Sequence, residues 1–352
     1  MMELSDLFSI AIERQASDLH LIPNYYPTIR VNGELFQLKT FPVIKPEKAK
    51  ELLLSLLNDD QKENLLTNRE LDLSYDFKNY RFRINLYFSK RNLCGSFRLI
   101  PSQIKTIEEL NLPKLLYQCI NFNQGLVLIT GPTGEGKTTT LSALINEINK
   151  RYAKHIITIE DPIEYVYPLE KAIISQRELH EDTFSWNIAL KAALREDPDV
   201  ILVGEMRDYE TIRLVLTAAE TGHLVFSTLH TYSSPDTIDR IIDVFPQHQQ
   251  NQIRNQLSSV LKMIVSQRLL PKTNKLERIP AVEVLVNTSA VEVTIREGKT
   301  FLIDNILQTQ ESEGQIIFEK YLVSLYKEGL ISRETAYSFA IRPKILEKLF
   351  EI

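Results

Sequence analysis

Residues 131–138 read Gly-Pro-Thr-Gly-Glu-Gly-Lys-Thr, an uninterrupted G-x-x-x-x-G-K-[ST] string. It follows the apolar run Leu126-Val127-Leu128-Ile129-Thr130 and opens onto a stretch of helical character from Thr138 to Lys150. A strand, a glycine-rich loop and a helix in that order constrain the fold more than any other feature of the chain. The glycines let backbone N–H groups curl around an anion, and the helix N-terminus adds a favourable dipole. Such a loop cradles the phosphates of a nucleoside triphosphate. The candidate binding residues are therefore Gly131, Pro132, Thr133, Gly134, Glu135, Gly136, Lys137, Thr138 and Thr139. Lys137 is expected at the β- and γ-phosphates and the Thr138 hydroxyl at Mg²⁺, which makes ATP and Mg²⁺ the expected cofactors.

At 352 residues the chain has room for two domains, and 43% apolar with 25% charged residues is ordinary globular composition. No run approaches the roughly eighteen apolar residues of a membrane-spanning helix, and Met-Met-Glu-Leu-Ser-Asp is not a secretory signal. The two cysteines, Cys94 and Cys119, form neither a disulfide framework nor a four-cysteine zinc site. A cytosolic protein with reduced thiols is expected. The net charge of −5 argues against a dedicated nucleic-acid binder, although Lys78 to Arg98 holds six basic residues and no acidic one.

The first hundred residues read as a small mixed domain. Helices are expected over Glu3–Gln15, Pro46–Leu57 and Asp60–Leu66. Strands are expected over Asp18–Ile22, Thr28–Val31, Glu34–Leu38, Leu71–Phe77, Arg81–Phe88 and Leu93–Ile100, with an Asn32-Gly33 turn. A linker runs over 102–111, beginning around Pro101-Ser102-Gln103. From Leu112 strand and helix alternate. Gly125–Thr130, His155–Ile159, Val200–Val203 and Leu224–Thr228 are separated by helices near 137–150, 184–196 and 208–221, a pattern that predicts a mostly parallel sheet with helices on both faces. Beyond Pro246 the chain reads as mainly helical, over Gln249–Val265, Ser289–Glu297, Gly314–Glu328 and Arg333–Leu349.

Three further segments punctuate the second domain. Ile157–Tyr165 ends a buried strand in carboxylates (Glu160, Asp161, Glu164). Leu194–Asp208 reads LREDPDVILVGEMRD, and Ala219–Thr231 carries His223 and His230. In open α/β sheets ligands bind outside the carboxyl ends of the strands, so these acids are expected to converge on the phosphate loop. His223 and His230, seven apart across a strand, face opposite sides and have no cysteine nearby, which argues against a metal site.

These segments carry a resemblance to the secretion and type IV pilus ATPases, and within them to the retraction ATPases. They match that family's Walker A, Asp box, Walker B and His box in order and spacing. The likeness runs from Ala16-Ser17-Asp18-Leu19-His20-Leu21 to Leu330-Ile331-Ser332-Arg333-Glu334. It implies an α/β fold in which a PAS-like α+β domain (1–101) precedes a RecA-like P-loop ATPase domain (112–352) with C-terminal helices from about 271. It further implies Glu205 as the Mg²⁺ partner and Glu164 as the group that orients and deprotonates the attacking water. His223 and His230 become sensors of nucleotide state or bridges between subunits.

The basic strands admit three readings. Arg81 and Arg83, two apart, share one face of a strand. They can be the wet face of a two-faced sheet, a single-stranded nucleic-acid surface with Phe82, Tyr87, Phe88 and Phe97, or arginine fingers supplied to a neighbour's nucleotide. The resemblance favours the last, with Arg83 and Arg98 as fingers and Arg81 exposed. It also implies a homohexamer acting on an inner-membrane pilus platform protein at the cytoplasmic face of the membrane. No membrane insertion and no nucleic-acid partner are expected. The expected function is ATP hydrolysis driving pilus retraction. An accessory retraction, secretion-system or pilus-assembly ATPase, or a nucleic-acid translocase, stands as the alternative.

Two segments depart from the family. Ala290–Glu297 reads AVEVTIRE where the retraction ATPases carry A-I-R-N-L-I-R-E, so Glu292 and Val293 replace an arginine and an asparagine. Glu135 stands in the phosphate loop where serine is commoner. The paired C-x-x-C motif of the assembly ATPases is absent.

Overall fold

The computed structural model describes every residue except 1, 2, 32, 79, 101, 102, 275, 276 and 352. The chain divides into two compact units. Met1–Gln103 together with Pro162–Val166 form the first, and Ile104–Asp161 with Tyr167–Ile352 form the second. The turn expected at Asn32-Gly33 and the start of the expected linker, Pro101-Ser102, include undescribed residues. Ile107 and Leu112, inside or just beyond that linker, are buried in the core of the second unit.

The first unit is α+β. It comprises α1 (Leu4–Glu13), β1 (Asp18–Leu21), β2 (Thr28–Val31), β3 (Glu34–Gln37), α2 (Pro46–Leu54), α3 (Asp59–Asn68), β4 (Glu70–Phe77), β5 (Tyr80–Ser89) and β6 (Asn92–Ile100). Its six strands form an antiparallel sheet in the order β3-β2-β1-β6-β5-β4. In α1, Leu4, Leu7, Phe8 and Ala11 recur at helical spacing and are buried. Phe8 stacks on Phe82 at 4.5 Å between ring centroids and meets Phe97 edge-on at 5.4 Å, so one helical residue fastens the helix to two strands. In β5 the alternation of Phe82, Ile84 and Leu86 inward leaves Arg81, Arg83 and Asn85 on the other face.

The second unit continues with β7 (Gly125–Thr130), α4 (Lys137–Arg151), β8 (His155–Glu160), β9 (Ile173–Glu178), α5 (Trp186–Ala193), β10 (Val200–Val203), α6 (Tyr209–Glu220), β11 (Leu224–Leu229), α7 (Ser234–Asp243), α8 (Gln247–Val260), β12 (Leu261–Pro271), β13 (Arg278–Val286), α9 (Ser289–Arg296), α10 (Ile303–Thr309), α11 (Phe318–Lys327), α12 (Arg333–Phe339) and α13 (Pro343–Glu351). Seven strands lie in the order β13-β12-β7-β11-β10-β8-β9. All neighbours pair parallel except β12 with β13. β7 and β11 are buried along their whole length, as sheet strands covered on both faces must be.

Three expectations for the C-terminal part are corrected. The helix over Gln249–Val265 ends at Val260, and Leu261–Pro271 is a strand hydrogen-bonded to β7. The region from 271 is not helical throughout, because β13 adds an antiparallel edge and regular helices resume only at Ser289. Both errors have one cause: a fully buried strand is a short apolar run that periodicity cannot separate from a buried helix. The helix over Arg333–Leu349 is two helices, α13 beginning at Pro343, since proline removes a helix-interior donor but suits a first turn. On α9, Glu292 pairs with Arg296 at 3.0 Å, one helical turn away.

Candidate nucleotide site at the carboxyl ends of the parallel strands

The loop 131–136 leaves β7 and enters α4 through three left-handed glycines, Gly131 (φ +145°), Gly134 (φ +83°) and Gly136 (φ +78°). At Gly131 the requirement is absolute, because an added Cβ would lie 2.3 Å from the Gln267 carbonyl oxygen. Lys137 is buried and donates its Nζ to the carbonyls of Gly131 (2.7 Å) and Pro132 (2.9 Å). The lysine is thus folded over the loop that would receive phosphate.

Glu135 does not face that loop's anion side. Its carboxylate accepts the Leu269 backbone N–H, and its carbonyl accepts Gln267 Nε2 at 2.6 Å. Gln267 Oε1 in turn takes the Thr140 hydroxyl at 2.7 Å. The unusual acid is therefore hydrogen-bonded onto β12, which ties its carboxylate to the Leu269 N–H. Beside the loop opens a cavity of about 480 Å³ lined by Gly136, Thr139 and Thr140 together with Lys105, Lys272 and Arg278. Its volume is that of a small-molecule site, and the first turn of α4 forms one wall.

The carboxylates gather at the same sheet edge. Gly204 N–H donates to Ile159 O at 2.8 Å and Gly204 O accepts the Thr228 hydroxyl at 2.6 Å, which fixes the end of β10 between β8 and β11. Glu205 emerges there, largely buried. A side chain on Gly204 would come within 3.3 Å of the Trp186 ring. Glu205 binds Arg207 through one oxygen and His230 Nε2 through the other, the latter at 3.3 Å. His230 Nδ1 lies 3.4 Å from the Thr133 hydroxyl of the phosphate loop. The bond to Glu205 holds the Arg207 guanidinium charged, with Asp161 adding to the effect. Thr133, His230, Glu205 and Arg207 thus form one polar chain across the ends of β7, β11 and β10.

The two histidines separate. His230 follows β11 and meets the loop, whereas His223 precedes β11 and bonds Ala218 O at 3.0 Å and the Thr221 hydroxyl at 3.3 Å. At about 3.3 Å per residue the strand puts them roughly 20 Å apart. Within the chain His223 thus lies at the opposite end of β11 from the phosphate loop, a seven-residue spacing that runs the full length of the strand.

In the first unit, Arg83 and Arg98 are directly opposite one another across β5 and β6. Arg98 Nε donates to Asp18 at 3.1 Å and remains exposed. Arg81 is not exposed as expected, since it pairs with Asp76 at 3.3 Å and keeps 17% of its side-chain surface. Glu164 lies in Pro162–Val166, the segment grouped with the first unit. Its role rests on the family pattern.

No group of three or more His, Cys, Asp or Glu suited to a metal occurs among the described residues. The Thr138 hydroxyl and the Glu205 carboxylate are hard oxygen donors of the kind that hold Mg²⁺ jointly with substrate phosphates rather than in an all-protein cage. Sequence reasoning missed two participants. Arg207 sits in the quoted Walker B segment and could have been singled out as a cation beside an acid. Gln267 carried no signal, being 132 residues from the Glu135 carbonyl it holds.

A parallel sheet carrying this loop, with acids at its carboxyl edge, defines a P-loop nucleotide-binding protein. The chain belongs to the type II/IV secretion system protein family, whose model matches residues 3–347. It is 42% identical to the type IV pilus retraction ATPase PilT of Pseudomonas aeruginosa over 97% of this chain and 99% of that one. It is 37% identical to the type IV pilus ATPase PilU of the same organism over 96% and 89%. The crystal structure of the pilus retraction motor PilT with bound ADP superposes with a TM-score of 0.93 at 43% identity, covering 99% of this chain and 100% of that one. The Legionella pneumophila ATPase DotB superposes at 0.79 with 26% identity, covering 95% and 94%.

Proposed function

We propose that this protein is an ATP-hydrolysing motor that drives type IV pilus retraction. The observation that carries the reading is the polar chain Thr133–His230–Glu205–Arg207 laid against an intact phosphate loop. It occurs in a chain that matches a retraction ATPase along nearly its whole length. Lys137 leaves the Gly131 and Pro132 carbonyls for the β- and γ-phosphates. The Thr138 hydroxyl and Glu205 would hold Mg²⁺, which when bound would neutralise charge developing on the phosphates. Glu164 orients the attacking water and takes its proton. His230, bridging the loop and Glu205, reads the state of the γ-phosphate.

The site is completed between subunits. Arg83 and Arg98, cross-strand neighbours on β5 and β6, are the groups that reach a neighbour's phosphates as fingers. A head-to-tail interface closing into a homohexamer provides that neighbour. The assembly works at the cytoplasmic face of the inner membrane against the pilus platform protein. Among the described residues no helix is long and apolar enough to cross a membrane, which fits a peripheral motor.

Mg²⁺-dependent ATPase activity per protomer, followed over a wide concentration range with sedimentation on the same samples, tests this. Specific activity that climbs with hexamer formation, and that collapses in Arg83→Ala, supports the ring motor. Constant activity from monomers overturns the shared site. A second reading, an accessory retraction ATPase, is favoured by Glu292, which neutralises Arg296 on α9. Failure of this chain alone to restore retraction in a strain lacking its retraction ATPase, with normal ATPase activity, would select it.

A further inference from the structure

Arg342, just before α13, stands among three carboxylates. Its guanidinium meets Glu283 at 2.8 Å, Glu319 at 3.3 Å, and Asp304. Glu283 and Glu319 have no exposed surface at all, and Arg342 keeps 11% of its own. The second Glu283 oxygen accepts both the N–H and the hydroxyl of Ser234 at 2.9 Å. Ser234 opens α7, four residues after His230. A separate tie lies two residues after His230. The Arg268 guanidinium on β12 sits 5.3 Å from the Tyr232 ring and 5.6 Å from that of Phe318, and donates to Phe339 O at 3.2 Å. Both ends of the segment 232–234 are thus fastened to the C-terminal helices.

Packing does not require those charges. The C-terminal helices already share an apolar core of Leu270, Ile279, Phe318, Leu322 and Leu346, and apolar residues commonly serve as well as a buried ion pair for stability. What a guanidinium fork adds is fixed geometry. We propose that Arg342 is a positioning residue for hydrolysis. It orients Glu283, Glu283 holds the first turn of α7, and the segment before that turn keeps His230 between Thr133 and Glu205. The C-terminal helices are therefore a structural part of the nucleotide site. The inference rests on the role given to His230 above.

The test is a double-mutant cycle on the full chain with Arg342→Lys and His230→Ala, measuring kcat, KM and ADP affinity. Arg342→Lys keeps the buried charge and loses the fork. It is expected to lower kcat by about 10- to 100-fold, leave ADP affinity nearly unchanged, and add nothing in the His230→Ala background. Multiplying effects would overturn the proposal. Wild-type kcat in His230→Ala itself would remove the reading of the site on which it depends. Should Arg342→Lys not fold, Tyr232→Leu disturbs the second tie without unpairing a buried charge. A folded Tyr232→Leu protein with wild-type kcat would equally sink the idea.

Discussion

His230 Nε2 stands 3.3 Å from Glu205 Oε2 while the other ring nitrogen reaches the phosphate loop. One imidazole therefore links the carboxylate at the end of β10 to the group that approaches the nucleotide. Glu205→Gln removes the charge from this link and, in the proposed mechanism, from the oxygens that would hold Mg²⁺. It is expected to lower kcat by about 10²- to 10³-fold, while ADP binding without metal changes little. Steady-state kinetics beside equilibrium titration with a fluorescent nucleotide would check both halves.

Glu164→Gln and Lys137→Ala should fail differently. The first is expected to abolish turnover and retain ATP binding, because in the proposed mechanism it removes a group that acts on water rather than on phosphate. The second should weaken both, since the proposed mechanism has Lys137 serve the phosphates directly. Near-normal hydrolysis by Glu164→Gln would displace Glu164 as the base.

Gly131→Ala tests the contact of the loop with β12. The φ of +145° and the 2.3 Å approach of a Cβ to Gln267 O leave no room for a methyl group. A loss of about 2–4 kcal/mol in stability is expected, together with loss of nucleotide binding. Gly134→Ala, whose Cβ would meet nothing within 4 Å, should cost less. Chemical denaturation of the two variants side by side gives the comparison.

His20 makes the first unit sensitive to acid. Burial holds its imidazole below the ordinary value, with Asp18 opposing and Arg30 and Arg98 adding to the shift. The unfolded chain then takes up the proton more readily than the folded one. The stability involved is full above the unfolded pKa, near 6.5, and is lost as pH falls through the lower folded value. The melting temperature should fall between pH 7 and 5, and fall less in His20→Gln. Parallel pH profiles for the two proteins would refute the assignment.

Much of the fold was legible because its determinants are local. The alternation in Arg81–Phe88 marked β5, the phosphate loop marked the junction of β7 with α4, and the apolar run 200–203 matched β10 end to end. β12 and β13 were not legible, since Leu261–Val265 is as apolar as a buried helix and becomes a strand only by pairing with β7. His223 and His230 looked alike in the chain, yet sheet geometry sends one to each edge.

The amino-acid sequence by itself determined that a phosphate loop sits between a strand and a helix, and that Glu205 and His230 follow buried strands. Those are properties of residue type and short spacing. Only the tertiary structure decided that Glu135 turns onto the Leu269 N–H, that Gln267 braces the loop, and that Arg342 reaches Ser234 through Glu283. Each of these contacts joins residues tens to more than a hundred positions apart. Hydrogen bonds and ion pairs act over a few ångströms, so such partners are set by how the strands and helices pack rather than by their neighbours in the chain.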